Sequence, residues 1–300
     1  MEKYLILFLN PTMMDGSILQ YDFIVKGLFG AVFASITAGL AGTYIVSKRM
    51  VFLSGGITHA SFGGIGIGYY FGFNPVMGAA VFGILSALGV EYLSVRQKIR
   101  EDSAIGILWA FGMAIGIIFI FLTPGYSPNL MSYLFGSILT VTYADIFALG
   151  IMSVVLISYF GIFYRTILYI SFDESFARTY SSYVDIFKYV TTALVALTIV
   201  LNIRMAGVVL VLSLFTIPPN IAMIFTRVYS RIILWSIISG FTGTAAGYVI
   251  SYFAGIPVGA TIIFTLVIIW VLVKMGYQLT KYIRKDKRRT GDRQPATGNQ

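Results

Sequence analysis

About nine apolar runs of roughly 17–25 residues divide the chain between Phe23 and Leu279. Each is long enough to cross the hydrocarbon core of a bilayer as a helix. They run from Phe23 to Val46, Phe52 to Phe71, Val76 to Val95, Ala104 to Leu122, Ile146 to Tyr164, Phe187 to Ile203, Gly207 to Thr226, Ile232 to Phe253 and Val258 to about Leu279. A chain written this way is confined to an all-α, polytopic transmembrane bundle, because lipid offers the backbone no hydrogen-bond partner and helices satisfy their own. Composition agrees. Of 300 residues, 58% are hydrophobic and 11% charged, against roughly 25% charged in a soluble domain.

The expected architecture has 8–9 spanning helices. Leu130 to Val141, too short to cross, reads as a half-helix or re-entrant piece. Residues 1–280 form one membrane domain, and residues 281–300 form a basic tail expected to be disordered. The start, Met1 to Asn10, carries Glu2 and Lys3 and lacks the layout of a cleaved signal peptide.

Basic residues set the orientation. One set of loops holds Lys48, Arg49, Arg96, Lys98, Arg100, Arg165, Arg178, Lys188, Arg227, Arg231 and the tail, while the opposite set holds little beyond Lys3, Lys26 and Arg204. The positive-inside rule puts the rich set in the cytoplasm. Nine spans then place the N-terminus outside and the C-terminus inside a cytoplasmic membrane. The net charge of +9 is concentrated in the tail, at Lys281, Arg284, Lys285, Lys287, Arg288, Arg289 and Arg293. That pattern suits anionic lipid head groups. Aromatic residues lie in apolar runs rather than among the basic ones, so nucleic acid is not an expected partner.

Small residues recur at helix-packing spacing. Ala34, Ala38, Ala41 and Gly42 share a face, and Gly64/Gly68, Gly112/Gly116 and Gly243/Gly247 form three GxxxG pairs. These indicate close helix approach in lipid.

Few residues can carry chemistry. With no cysteine, thiolate sites and nucleophiles are excluded. The sole histidine, His59, lies within the second run. An ionisable group there marks a functional site by default; the other reading is a histidine bonded to a neighbouring helix backbone. One imidazole cannot complete a metal site, so oxygen ligands or a second copy's histidine would be needed. Glu91 is expected to pair with Arg96 or Arg100, and Asp102 to cap the fourth helix. Pro218-Pro219 must kink or break the seventh run, at a hinge, at a substrate path or for structural reasons only.

The most polar interior stretch runs from Ser171 to Tyr180. Asp173 or Ser171 can cap a short helix there. It would carry Phe172, Phe176 and Tyr180 on one face, and it either lies on lipid or docks a partner. No Walker A pattern, GxSxG or HExxH is present, so neither nucleotide hydrolysis nor another catalytic activity is expected of this chain.

Four segments, taken in order, resemble the zinc/manganese/iron permeases of ABC importers. They are Gly42-Thr-Tyr-Ile-Val-Ser-Lys-Arg-Met with Ile57-Thr-His-Ala-Ser-Phe-Gly-Gly, then Glu101-Asp-Ser-Ala-Ile-Gly-Ile, then Phe172-Asp-Glu-Ser-Phe-Ala-Arg, and Gly207-Val-Val-Leu-Val-Leu-Ser-Leu-Phe-Thr-Ile-Pro-Pro with Pro257-Val-Gly-Ala-Thr-Ile. The resemblance implies a membrane-spanning permease subunit that forms a homodimer. It implies two copies of a cytoplasmic ATPase, an extracytoplasmic metal-binding protein, and a divalent metal as cargo, zinc or manganese, with no permanently bound cofactor. Phe172, Asp173, Glu174, Phe176, Ala177 and Arg178 would form the cytoplasmic coupling helix that meets the ATPase. His59 would be the metal ligand, and Pro218 and Pro219 a gating break. The family often carries an acid four residues before the histidine, and Gly55 stands there. That departure leaves an ABC permease for an iron chelate as an alternative. A gradient-driven secondary transporter is a further one, favoured by the broken seventh run and disfavoured by the scarcity of buried acids.

Overall fold

The computed structural model describes residues 22–124 and 141–291, so the half-helix expected over 130–141 falls almost wholly outside the described residues. Among the described residues ten helices follow one another: α1 Asp22–Ser47, α2 Val51–Phe71, α3 Pro75–Val95, α4 Glu101–Leu122, α5 Tyr143–Ile162, α6 Tyr164–Phe172, α7 Glu174–Tyr180, α8 Val184–Phe225, α9 Tyr229–Ala254 and α10 Val258–Gly291. Local chemistry sets several of the starts. Asn74 accepts a hydrogen bond from the Val76 amide at 2.9 Å ahead of Pro75, where a missing N–H costs nothing. Thr142 and Asp145 form a reciprocal capping box at the start of α5.

Among the described residues, seven helices are long and apolar enough to cross a membrane. One of them, α8, has 42 residues, about 63 Å at 1.5 Å per residue and twice the depth of a hydrocarbon core. It is two spans joined at Gly207, whose φ of 76° and ψ of 164° are not helical. Before Gly207, Asn202 Nδ2 donates to Thr37 Oγ1 at 3.1 Å and Met205 lies against Gly30, so the chain moves toward the start of α1. After it, Phe215 lies against Gly42, back toward the end of α1. The remaining run, α2, is rich in glycine, serine and threonine and is mostly buried. Shielded from lipid, it has no need of high hydropathy. Counting α2 and both halves of α8, each of the nine apolar runs has its helix.

The core centres on α8. Phe215, Leu214, Ile199 and Val195 pack with Tyr44 and Ile45 of α1, Leu53 and Ile57 of α2, and Leu266 of α10. α2 is clamped between α3 and α4 at near-backbone distance. A β-carbon on Gly112 would stand 2.5 Å from the Ala60 Cα, and one on Gly66 would stand 2.5 Å from the Gly116 carbonyl oxygen. Gly64 and Gly78 face each other more closely still. Small residues at these points allow dispersion contact along both helices.

Candidate functional site

Two regions gather the chemistry. The first lies at the bundle end where α1, α3 and α6 to α8 meet. α6 stops at Asp173, whose φ of −150° and ψ of 101° are extended, and α7 starts afresh. The Asp173 carboxylate accepts from the Phe176 amide at 3.0 Å and so caps α7. Ser171 instead donates back to the Ile167 carbonyl at 2.7 Å.

The break changes the expected aromatic face. Phe172 ends α6 beside Tyr229, whereas Phe176 and Tyr180 flank Tyr169. All three stay more than half exposed. Ala177 alone turns inward and is buried. α7 therefore presents a polar and aromatic surface and holds to the bundle through a narrow apolar contact.

Charge supplies the rest of that hold. Arg178 bonds Glu174 at 2.9 Å and Asp185 at 2.6 Å. Lys188, 4% exposed, lies 2.8 Å from Glu174 and 3.4 Å from Glu91. Glu91, 1% exposed, also accepts from Lys48 at 3.1 Å and from the Thr192 hydroxyl at 3.0 Å. Burial pushes the Glu174 carboxyl up, but hydrogen bonds from Lys188 and Arg178 outweigh it and hold the group below the usual glutamate range.

Pairing of Glu91 with Arg96 or Arg100 is thus corrected. Both arginines are exposed beyond the last turn of α3, and a residue five positions on lies about 140° round a helix, away from the inward face that Glu91 occupies. Lys48 and Lys188 escaped sequence reasoning because both read as loop cations. Lys188 lies one turn inside α8, at the edge of an apolar run, where an ionisable side chain already calls for a partner. Asp102 does not cap α4 through its own side chain; it pairs with exposed Arg100 at 2.8 Å.

The second region is the open side of α2. His59 is half-buried and stacks on Trp109 of α4, with ring centroids 4.4 Å apart and planes 5° apart. Gly55, one turn earlier, faces Trp109 and Leu212 of α8 at ordinary contact distance, with room for a β-carbon. Among the described residues no three His, Asp or Glu side chains cluster in a way that could hold a metal ion. Within this chain, then, His59 offers one imidazole.

Pro218 and Pro219 are buried and remain inside α8. No helix break occurs at the prolines; the non-helical residue is Gly207, where the sixth and seventh apolar runs meet. The Pro218 carbonyl accepts from Ser239 of α9 at 3.4 Å.

At the opposite end of the bundle, Arg204 pairs with Asp145 at 2.6 Å, and Asp22 with Lys26 at 2.5 Å.

Relatives place this arrangement. A membrane protein of Synechocystis sp. is 39% identical over 85% of this chain and 91% of its own length. The manganese transport system membrane protein MntC of Listeria monocytogenes is 31% identical over 85% of this chain and 91% of its own length. The structure of PsaBC from Streptococcus pneumoniae in complex with a Fab superposes with a TM-score of 0.76 at 27% identity, covering 86% of this chain and 92% of that one. Residues 20–277 match the model of the ABC 3 transport family, and this multi-pass helical membrane protein belongs to that family.

Proposed function

We propose that this chain is the membrane-spanning permease subunit of an ABC importer that carries a divalent transition-metal ion, manganese first, across the cytoplasmic membrane. The observation that carries the reading is α7, a short capped helix with exposed aromatic residues, bound by charge to the core of an ABC 3 fold. A relative named for manganese transport, matched along nearly its whole length, supports the choice of cargo.

The working unit is a homodimer with two cytoplasmic ATPase subunits and an extracytoplasmic metal-binding protein. The chain carries no nucleotide-binding motif, so hydrolysis resides on the ATPase. The N-terminus lies outside, and the cation-rich end of the bundle, with α7 and the C-terminus, lies in the cytoplasm. Phe172, Phe176 and Tyr180 enter a groove of the ATPase. Nucleotide-driven closure then moves α7, and differential contacts in the two states shift the bundle between them. His59 from each protomer offers one imidazole to the passing ion, with oxygen donors completing its shell. Gly207 supplies the bend between the two halves of α8, and Pro218 and Pro219 form the gating element within the second half.

The test is co-purification of the tagged chain with a candidate ABC ATPase from the same organism. The wild type should retain the ATPase, and a Phe172→Ala, Phe176→Ala double variant should lose it while keeping its own fold. Failure of the wild type to retain any ATPase would overturn the reading.

A further inference from the structure

Resting on the reading of α7 as the ATPase-docking helix, we propose that Lys188 is the positioning residue that transmits motion of α7 to the transmembrane core. Its ammonium group lies between two carboxylates on different elements, 2.8 Å from Glu174 of α7 and 3.4 Å from Glu91 of α3. Glu91 in turn holds Lys48, just past the end of α1, and Thr192 of α8. One buried ammonium therefore joins the docking helix to three long helices.

The attachment has one charged alternative, Arg178 of α7 with Asp185 of α8 at 2.6 Å, but both side chains are about half exposed, where an ion pair contributes little. α7 has seven residues and buries only Ala177. A small apolar contact resists separation but slides easily, whereas a charge-assisted hydrogen bond in a poorly solvated site fixes distance and direction. Lys188 also sits near the start of α8, the helix at the centre of the core. A pull on Glu174 thus reaches the element that folds at Gly207 and runs beside α2.

The charges are arranged so that this link can be cut by itself. Without Lys188, Glu91 keeps Lys48 and Glu174 keeps Arg178. Each acid retains a cation, so Lys188→Met removes the bridge without stranding a buried charge. Replacing a buried ion by an apolar group of similar volume is often tolerated where the remaining charges stay paired.

The experiment uses the complete transporter, chain plus ATPase plus binding protein, in sealed vesicles. Uptake of Mn²⁺ and of Zn²⁺ and hydrolysis of ATP are measured in the same sample. Lys188→Met should retain the ATPase in wild-type proportion and hydrolyse ATP, while metal carried per ATP falls about tenfold or more, within the usual range of coupling factors. Lys188→Arg, which keeps the charge, should restore most of the ratio. A metal-to-ATP ratio in Lys188→Met equal to the wild type overturns the inference. So does loss of the ATPase from that variant, which would make Lys188 part of docking or folding, and so does an arginine variant as poor as the methionine one. A wild type without ATP-dependent uptake of either metal overturns the importer reading itself, and this inference with it.

Discussion

The Phe215 carbonyl of α8 faces Gly42 of α1 so closely that a β-carbon on the glycine would stand 2.5 Å from its oxygen. Pro219, four residues further on, has no N–H to offer that carbonyl. The proline pair that reads as a helix breaker thus sits where α8 packs against α1. Gly42→Ala forces the two helices apart and should cost about 1–3 kcal/mol, the usual penalty of overpacking. Thermal unfolding in detergent measures it. Gly106→Ala, where nothing lies within 4 Å, should stay within about 0.5 kcal/mol of wild type.

Gly207 holds a backbone conformation closed to other residues. Gly207→Ala should destabilise by about 1–3 kcal/mol. It should also lower ATP-dependent uptake, because the two halves of α8 lose the bend that sets them against α1. Parallel unfolding and uptake measurements check both parts.

Glu91 is nearly inaccessible and neutralises two lysines. Glu91→Ala takes from Lys48 its carboxylate in a poorly solvated site, while Lys188 keeps Glu174, and should cost about 3–5 kcal/mol. Lys188→Met should cost clearly less. The order of the two in one thermal series checks the claim, and equal losses would contradict the pairing scheme.

The hold on α7 should depend on pH. Glu174 is held below its ordinary range, so its contribution to docking is full above the unfolded glutamate value of about 4.3. It is lost as pH falls through the lower, folded value. Amide exchange of residues 174–180, corrected for intrinsic rate, should stay slow at neutral pH and rise on acidification. In Glu174→Gln the same exchange should no longer change over that window.

Gly55 leaves space between Trp109 and Leu212, and Gly55→Asp should fold. Its carboxylate would lie one helical turn from His59, on the same face. The variant should bind Mn²⁺ more tightly than the wild type and release it more slowly. Metal titration of the purified chain checks it, and His59→Ala should abolish the gain.

Hydrophobic run length made the nine spans legible, along with their ends at Asn74-Pro75 and the close packing at Gly64, Gly112 and Gly247. Those features depend on local sequence and on the sizes of single residues. The bend of α8 falls at Gly207, where the sixth run gives way to the seventh, but the unbroken helix through Pro218 and Pro219 was not legible. Proline announces a lost donor, and a surrounding bundle can absorb that loss. Asp173 was readable as a cap, yet its extended backbone, which parts Phe172 from Phe176, was not. The partners of Glu91 were hidden because Lys48 and Lys188 come from helices distant in sequence, and only the fold brings them to one carboxylate. The stacking of His59 on Trp109 was hidden for the same reason.

The most direct test of metal import driven by a separate ATPase is uptake of Mn²⁺ into vesicles holding the chain, its ATPase and its binding protein, with ATP present or absent. Uptake is expected only with ATP and all three components, and none from the purified chain alone. Uptake by the chain alone, driven by an ion gradient and indifferent to ATP, would contradict it.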